Sequence, residues 1–117
     1  ICCAAASAVI NTLSSEQLWN RADQIRDAIF EGLDAELSDP ALVRDRRGIG
    51  LMIGIEPTVA TTNLVKMALH RRVLVNVAGG NTIRLLPPLV MSLDDARMVG
   101  ATIADILNAL KDDKGQA

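Results

Sequence analysis

At 117 residues the chain has the length of one domain, and with 50% of its residues hydrophobic it can bury a sizeable core without disulfides or a metal. Twelve Lys and Arg against fourteen Asp and Glu give a net charge of −2, and one Phe, one Trp and no Tyr leave no stacking platform, which argues against a nucleic-acid partner. No apolar stretch approaches the roughly 20 residues of a membrane span and no basic-then-apolar leader precedes the first helix, so a cytoplasmic protein with no membrane partner is expected.

Residues 1–13 are almost wholly apolar and Ala-rich, as a helix covered on several sides would be, and the first residue is not Met; a preceding segment is therefore expected. Cys2 and Cys3 are adjacent, a spacing that suits neither an ordinary disulfide nor a C-x-x-C metal site, and they read as reduced packing residues. Ser14 and Gln17 have the spacing of a capping box and predict a fresh helix start. Its apolar stripe is Leu18, Ala22, Ile25, Ile29, Leu33 and Leu37, with Arg21, Asp23, Arg26, Asp27 and Glu31 on the other faces, and Pro40 ends it.

Strands are predicted over 42–46 and 51–56, joined through a turn or bulge in Arg47-Gly48-Ile49-Gly50. Leu51, Ile53 and Ile55 then face the helices. Gly54 leaves the backbone bare on the opposite face, which marks either relief of twist or a place where another segment or a ligand approaches closely. Arg44, Arg46 and Arg47, interleaved with Asp45 and preceded by Asp39, read as the charged side chains of a solvated edge strand. A short helix capped by Thr61 or Thr62 runs to about Arg71, with Leu64, Val65, Ala68 and Leu69 inward. His70 lies among arginines with no acidic or nucleophilic partner and reads as an exposed helix residue.

Two further strands, 73–77 and 82–86, form an antiparallel hairpin across Gly79-Gly80-Asn81, which supplies the positive-φ positions of a tight reversal. Alternation puts Ile83 and Leu85 on one face and Thr82, Arg84 and Leu86 on the other. Pro87-Pro88 stops the second strand. Ser92, followed by Asp94 and Asp95, opens a last helix with the stripe Ala96, Val99, Ile103, Ile106 or Leu107, and Leu110. The expected fold class is α+β: a small, largely antiparallel sheet with helices on one face and the other face open.

Three motifs, in order, carry a resemblance. Cys3-Ala4-Ala5-Ala6-Ser7-Ala8-Val9, Arg47-Gly48-Ile49-Gly50-Leu51-Met52-Ile53-Gly54-Ile55-Glu56, and Leu74-Val75-Asn76-Val77 followed by residues 81–90 (Asn-Thr-Ile-Arg-Leu-Leu-Pro-Pro-Leu-Val) resemble the C-terminal domain of class III pyridoxal-phosphate-dependent aminotransferases. Within that class the acetylornithine enzymes are the most similar. The resemblance covers residues 2 to about 107. It implies three parts: residues 1–13 as the end of a helix from a large domain, 14–111 as the small domain, and 112–117 as a frayed tail. It also implies a homodimer in which acetylornithine donates its amino group to 2-oxoglutarate, in arginine biosynthesis.

Cofactor chemistry needs an enclosed lysine for the imine, an acid at the pyridine nitrogen and a phosphate cradle. Lys66, Lys111 and Lys114 fall on a helix exterior and in the tail, so no catalytic, cofactor-binding or metal-binding residue is expected here, and no pyridoxal phosphate on this chain alone. The resemblance gives Arg84 the carboxylate of glutamate or 2-oxoglutarate, a role that a planar, permanently charged fork suits. From the residues alone the plainer account of Arg84 is a strand arginine in an ordinary surface ion pair. Two other readings stay open: the same domain of an enzyme for ornithine, succinylornithine or 4-aminobutyrate, and a stand-alone regulatory or amino-acid-binding module.

Overall fold

A computed structural model describes residues 1–115, and Gln116 and Ala117, the end of the expected frayed tail, lie outside the described residues. The elements are α1 (Cys2–Glu16), a 3-10 turn (Leu18–Arg21), α2 (Ala22–Glu36), a second 3-10 turn (Pro40–Leu42), β1 (Val43–Ile49), β2 (Met52–Pro57), α3 (Leu64–His70), β3 (Asn76–Ala78), β4 (Thr82–Leu85) and α4 (Leu93–Gly115). Helix α4 continues through residues 112–115, where fraying was expected.

The four strands form one antiparallel sheet in the order β1-β2-β4-β3. Two hairpins, β1-β2 and β3-β4, meet along β2 and β4. The alternation expected of each strand sends Ile53, Ile55, Ile83 and Leu85 to one face, where they are buried against Ile25, Ile29 and Leu33 of α2, Leu64 of α3, and Ile103, Ile106 and Leu107 of α4. All the helical cover of this core is on that side. The fold class is α+β, as expected, and the far face of the sheet is left open in this chain.

Helices α2 and α4 make the most extensive helix contact of the fold, and they do so at two glycines. A Cβ placed on Gly100 would collide with the carbonyl oxygen of Ile29 and lie 2.7 Å from the amide nitrogen of Leu33; one on Gly32 would collide with the Arg97 carbonyl. The two backbones touch there, so both sites exclude any side chain.

Four expectations are corrected. The Ser14–Gln17 capping box does not form: α1 runs on through Ser14 and Ser15 to Glu16, Gln17 closes it in the left-handed region at φ 48°, and α2 begins only at Ala22. Arg21, assigned to a solvent face, instead donates to the carbonyls of Leu89 (2.7 Å) and Met91 (2.9 Å) and ties the loop after β4 to the start of α2. Val65 and Leu69 are exposed, because the side of α3 that meets the core carries Leu64 and Ala68, with Met67 partly buried beside them. Cys2 and Cys3 are free but exposed rather than packed, since α1 buries none of its residues against the described chain.

The β3-β4 turn holds a further difference. Gly79 (φ 58°) and Gly80 (φ 87°) supply the left-handed positions, whereas Asn81 does not. Its side chain is a bracket instead: Oδ1 accepts from the amide (3.2 Å) and hydroxyl (2.8 Å) of buried Thr61, and Nδ2 donates to the carbonyls of Pro57 (2.9 Å) and Val59 (3.3 Å). Asn81→Ala leaves four partly buried groups without partners, and is expected to cost about 2 to 3 kcal/mol, the penalty for abandoned polar groups, read by thermal melting of the intact protein. A change within 0.5 kcal/mol would show that solvent replaces the bracket.

Candidate functional site

The open sheet face carries one row of aligned residues. Register pairs Arg47 with Gly54, Gly54 with Arg84 and Arg84 with Asn76, so the four lie side by side across all four strands. Opposed residues of neighbouring strands present their side chains on the same face. Around this row is a groove of about 320 Å³, bounded by Arg47, Ile49, Met52, Gly54, Ala78, Thr82 and Arg84. Met52 and Ile49 contribute exposed apolar surface beside the arginines.

Arg84 is where the sequence put it: on the open face of β4, between buried Ile83 and Leu85, with its own side chain exposed. Among the described residues it has neither ion pair nor side-chain hydrogen bond, so the surface ion pair that was its plainer account does not form. Gly54 gives the groove its floor. A Cβ there would lie 3.4 Å from Thr82 Cγ2 and 3.6 Å from Arg47 Cγ, so the fold leaves room for a methyl group and the missing side chain is not a steric requirement.

Arg47 is the residue that sequence reasoning missed. Its stem lies over Gly54, and its Nη1 pairs with Asp45 (2.6 Å) and Glu56 (3.6 Å). The hydrogen bond to Asp45, followed by the charges of Asp45 and Glu56, raises its pKa further above that of an ordinary arginine, so it stays cationic. The β1-β2 turn lies at Gly50-Leu51, at the end of the expected 47–50 linker rather than across it, with Gly50 at φ 56° and Ile49 opposite Met52. Counting back from that turn puts Arg47 opposite Gly54. A turn placed at residues 47–50 loses the register.

The remaining arginines of β1 are edge-strand charges, as expected. Arg46 pairs with Asp34 (2.6 Å) and lies 5.2 Å from the ring centroid of Phe30, and Arg44 pairs with Glu56 (3.1 Å). His70 is exposed, and among the described residues its Nδ1 meets only the Lys66 carbonyl oxygen (2.8 Å). Lys66 is exposed on α3, and Lys111 is exposed and paired with Asp39 (3.2 Å). Neither has the enclosed apolar setting an imine-forming amine needs, so these residues do not fit a pyridoxal phosphate site; the side chain of Lys114 lies outside the described residues. Among the described residues no His, Cys, Asp and Glu cluster has the geometry of a metal site, and no helix is long and apolar enough to cross a membrane.

What the groove offers, then, is one unpaired guanidinium on a rigid strand beside a bare backbone and apolar walls, an arrangement suited to a carboxylate on a short aliphatic chain. The acetylornithine aminotransferase of Methanothermobacter thermautotrophicus is 37% identical over 108 residues, 89% of this chain and 28% of that protein. Ornithine aminotransferase 1 of Staphylococcus saprophyticus is 33% identical over 107 residues, 92% of this chain and 27% of that protein. In the solved structures, the ornithine aminotransferase of Toxoplasma gondii matches the fold with a TM-score of 0.82, covering 97% of this chain and 28% of that one at 23% identity. The chain thus spans little more than a quarter of the relatives it matches. A model of the family described as Aminotransferase class-III matches residues 1–107, and this chain belongs to that family.

Proposed function

We propose that the chain is the C-terminal domain of an acetylornithine aminotransferase and that Arg84 holds the carboxylate of its dicarboxylic partner, 2-oxoglutarate or glutamate. The observation that carries this reading is the unpaired Arg84 guanidinium over the groove floored by Gly54. Pyridoxal phosphate, held by parts of the protein outside this chain, supplies the amino-group chemistry when bound. Arg84 contributes orientation: two parallel N–H donors fix the carboxylate plane, and the strand on which Arg84 stands keeps the fork from turning with the ligand.

Support for a longer protein comes from α1, none of whose residues is fully buried among the described residues, and from the open sheet face; both are surfaces for a large domain and for the second subunit of a homodimer. The same domain of an ornithine enzyme is the second reading, supported by the 33% identity to the staphylococcal protein. A comparison of kcat/KM for acetylornithine, ornithine, succinylornithine and 4-aminobutyrate, each with 2-oxoglutarate on the intact protein, separates the readings. Acetylornithine is expected to lead by about tenfold or more, the discrimination that one or two well-placed contacts supply. Ornithine in the lead would overturn the assignment of the donor while keeping the family.

A further inference from the structure

We infer that Arg44 and Arg47 act on the carboxylate site indirectly, by holding Glu56 at the edge of the sheet and away from Arg84; this rests on Arg84 being the anchor proposed above. Glu56 is the acid best placed to spoil that anchor. It lies two residues beyond Gly54 on β2, and Gly54 is directly opposite Arg84, so Glu56 and Arg84 are diagonal neighbours on the open face. Such diagonal positions are about 7 to 8 Å apart, within reach of two long side chains. Left alone, the carboxylate would be drawn to the unpaired guanidinium and would compete with any carboxylate ligand.

Each oxygen of Glu56 is instead taken by an arginine of β1. Oε1 accepts from Arg44 Nη1 at 3.1 Å, and Oε2 faces Arg47 Nη1 at 3.6 Å. The bulge in β1 makes this double hold feasible. Register passes from Val43 opposite Pro57 directly to Asp45 opposite Glu56, so Arg44 is the extra residue, and both arginines reach the same acid. Asp45 in turn fixes Arg47 at 2.6 Å. The Glu56 side chain is 28% exposed, but Arg44 and Arg47 are 67% and 54% exposed, so solvent screens these contacts in part. Arg44 is therefore a positioning residue that acts through Glu56, and Arg47, which also lines the groove, shares that role through its own contact with Glu56.

The test uses the intact protein with its cofactor in the amino form, and reads the dissociation constant of 2-oxoglutarate from single-turnover kinetics. Arg44→Met with Arg47→Met is expected to weaken binding about fivefold, the upper end for a partly exposed ion pair that sequesters the competent state. Adding Glu56→Gln should restore the affinity to within about twofold, because a neutral amide no longer competes for Arg84. Adding Asp45→Asn to the double variant makes the same change in net charge one step farther from Arg84, and should not restore it. Unchanged binding in the double variant, no recovery with Glu56→Gln, or equal recovery with Asp45→Asn would each overturn the inference, the last by reducing it to bulk charge. If the double variant does not accumulate as soluble protein, Arg44→Met alone, at a residue outside the groove, carries the same test and the same rescue. Weakened binding in Arg84→Lys without any in the double variant removes the restraint and keeps the anchor; no weakening in Arg84→Lys removes both.

Discussion

Gly100→Ala is expected to destabilise the intact protein by about 3 kcal/mol or more, enough to deplete the soluble folded form of a domain whose whole stability is of the order of 5 to 15 kcal/mol. Two effects oppose each other. Alanine gains about 1 kcal/mol of helix propensity over glycine in the interior of a helix, and on an exposed surface that gain would win. Here the added methyl group would enter the space of the Ile29 carbonyl oxygen and come within 2.7 Å of the Leu33 amide nitrogen, both backbone atoms that no rotamer change can move aside. Helices α2 and α4 must separate, and Ile25, Ile29, Leu33, Ile103 and Leu107, all buried in the core they share, lose contacts together. Gly32→Ala meets the Arg97 carbonyl from the other side and is expected to behave alike. Thermal melting with far-ultraviolet circular dichroism reads both. A melting temperature equal to or above that of the parent for either variant would mean that the helices do not cross at backbone contact.

Those two glycines illustrate what a single sequence conceals. The stripes of α2 and α4 were legible because burial of one helix face imposes three-and-four spacing over many residues, and Ile25, Ile29, Leu33, Ala96, Ile103 and Leu107 all lie where the spacing puts them. Nothing in a local pattern says that Gly32 meets the backbone of Arg97, or Gly100 that of Ile29. The β3-β4 hairpin was legible from its glycines and its alternation, and with it the face on which Arg84 stands, although β3 is Asn76–Ala78 and not the expected 73–77. Register within the β1-β2 hairpin was not, because it depends on placing the turn at Gly50-Leu51. Arg47 was therefore read as an edge charge when it also lies in the row of the site. The capping-box spacing of Ser14 and Gln17 failed for a different reason: such side chains also sit in the last turn of a helix, and the αL position at Gln17 was the true boundary.

The largest functional effect is expected at Arg84. Arg84→Lys keeps the charge and loses the bidentate fork, so binding of 2-oxoglutarate should weaken by about 1.5 to 3 kcal/mol, the range for charge-assisted hydrogen bonds, or roughly 10- to 150-fold. The fold should barely respond, because the Arg84 side chain is exposed, has no partner among the described residues, and contributes nothing to the core formed by its neighbours Ile83 and Leu85. In this account the amino donor does not rely on Arg84 for its own carboxylate, so its half of the reaction should suffer less.

Single-turnover kinetics of the intact Arg84→Lys protein test this most directly, with acetylornithine presented to the aldehyde form of the cofactor and 2-oxoglutarate to the amino form in separate experiments. A loss confined mainly to the 2-oxoglutarate half, with an unchanged melting temperature, is the predicted result. Equal losses in both halves, or loss of soluble protein in place of loss of affinity, would contradict it and make Arg84 a structural residue.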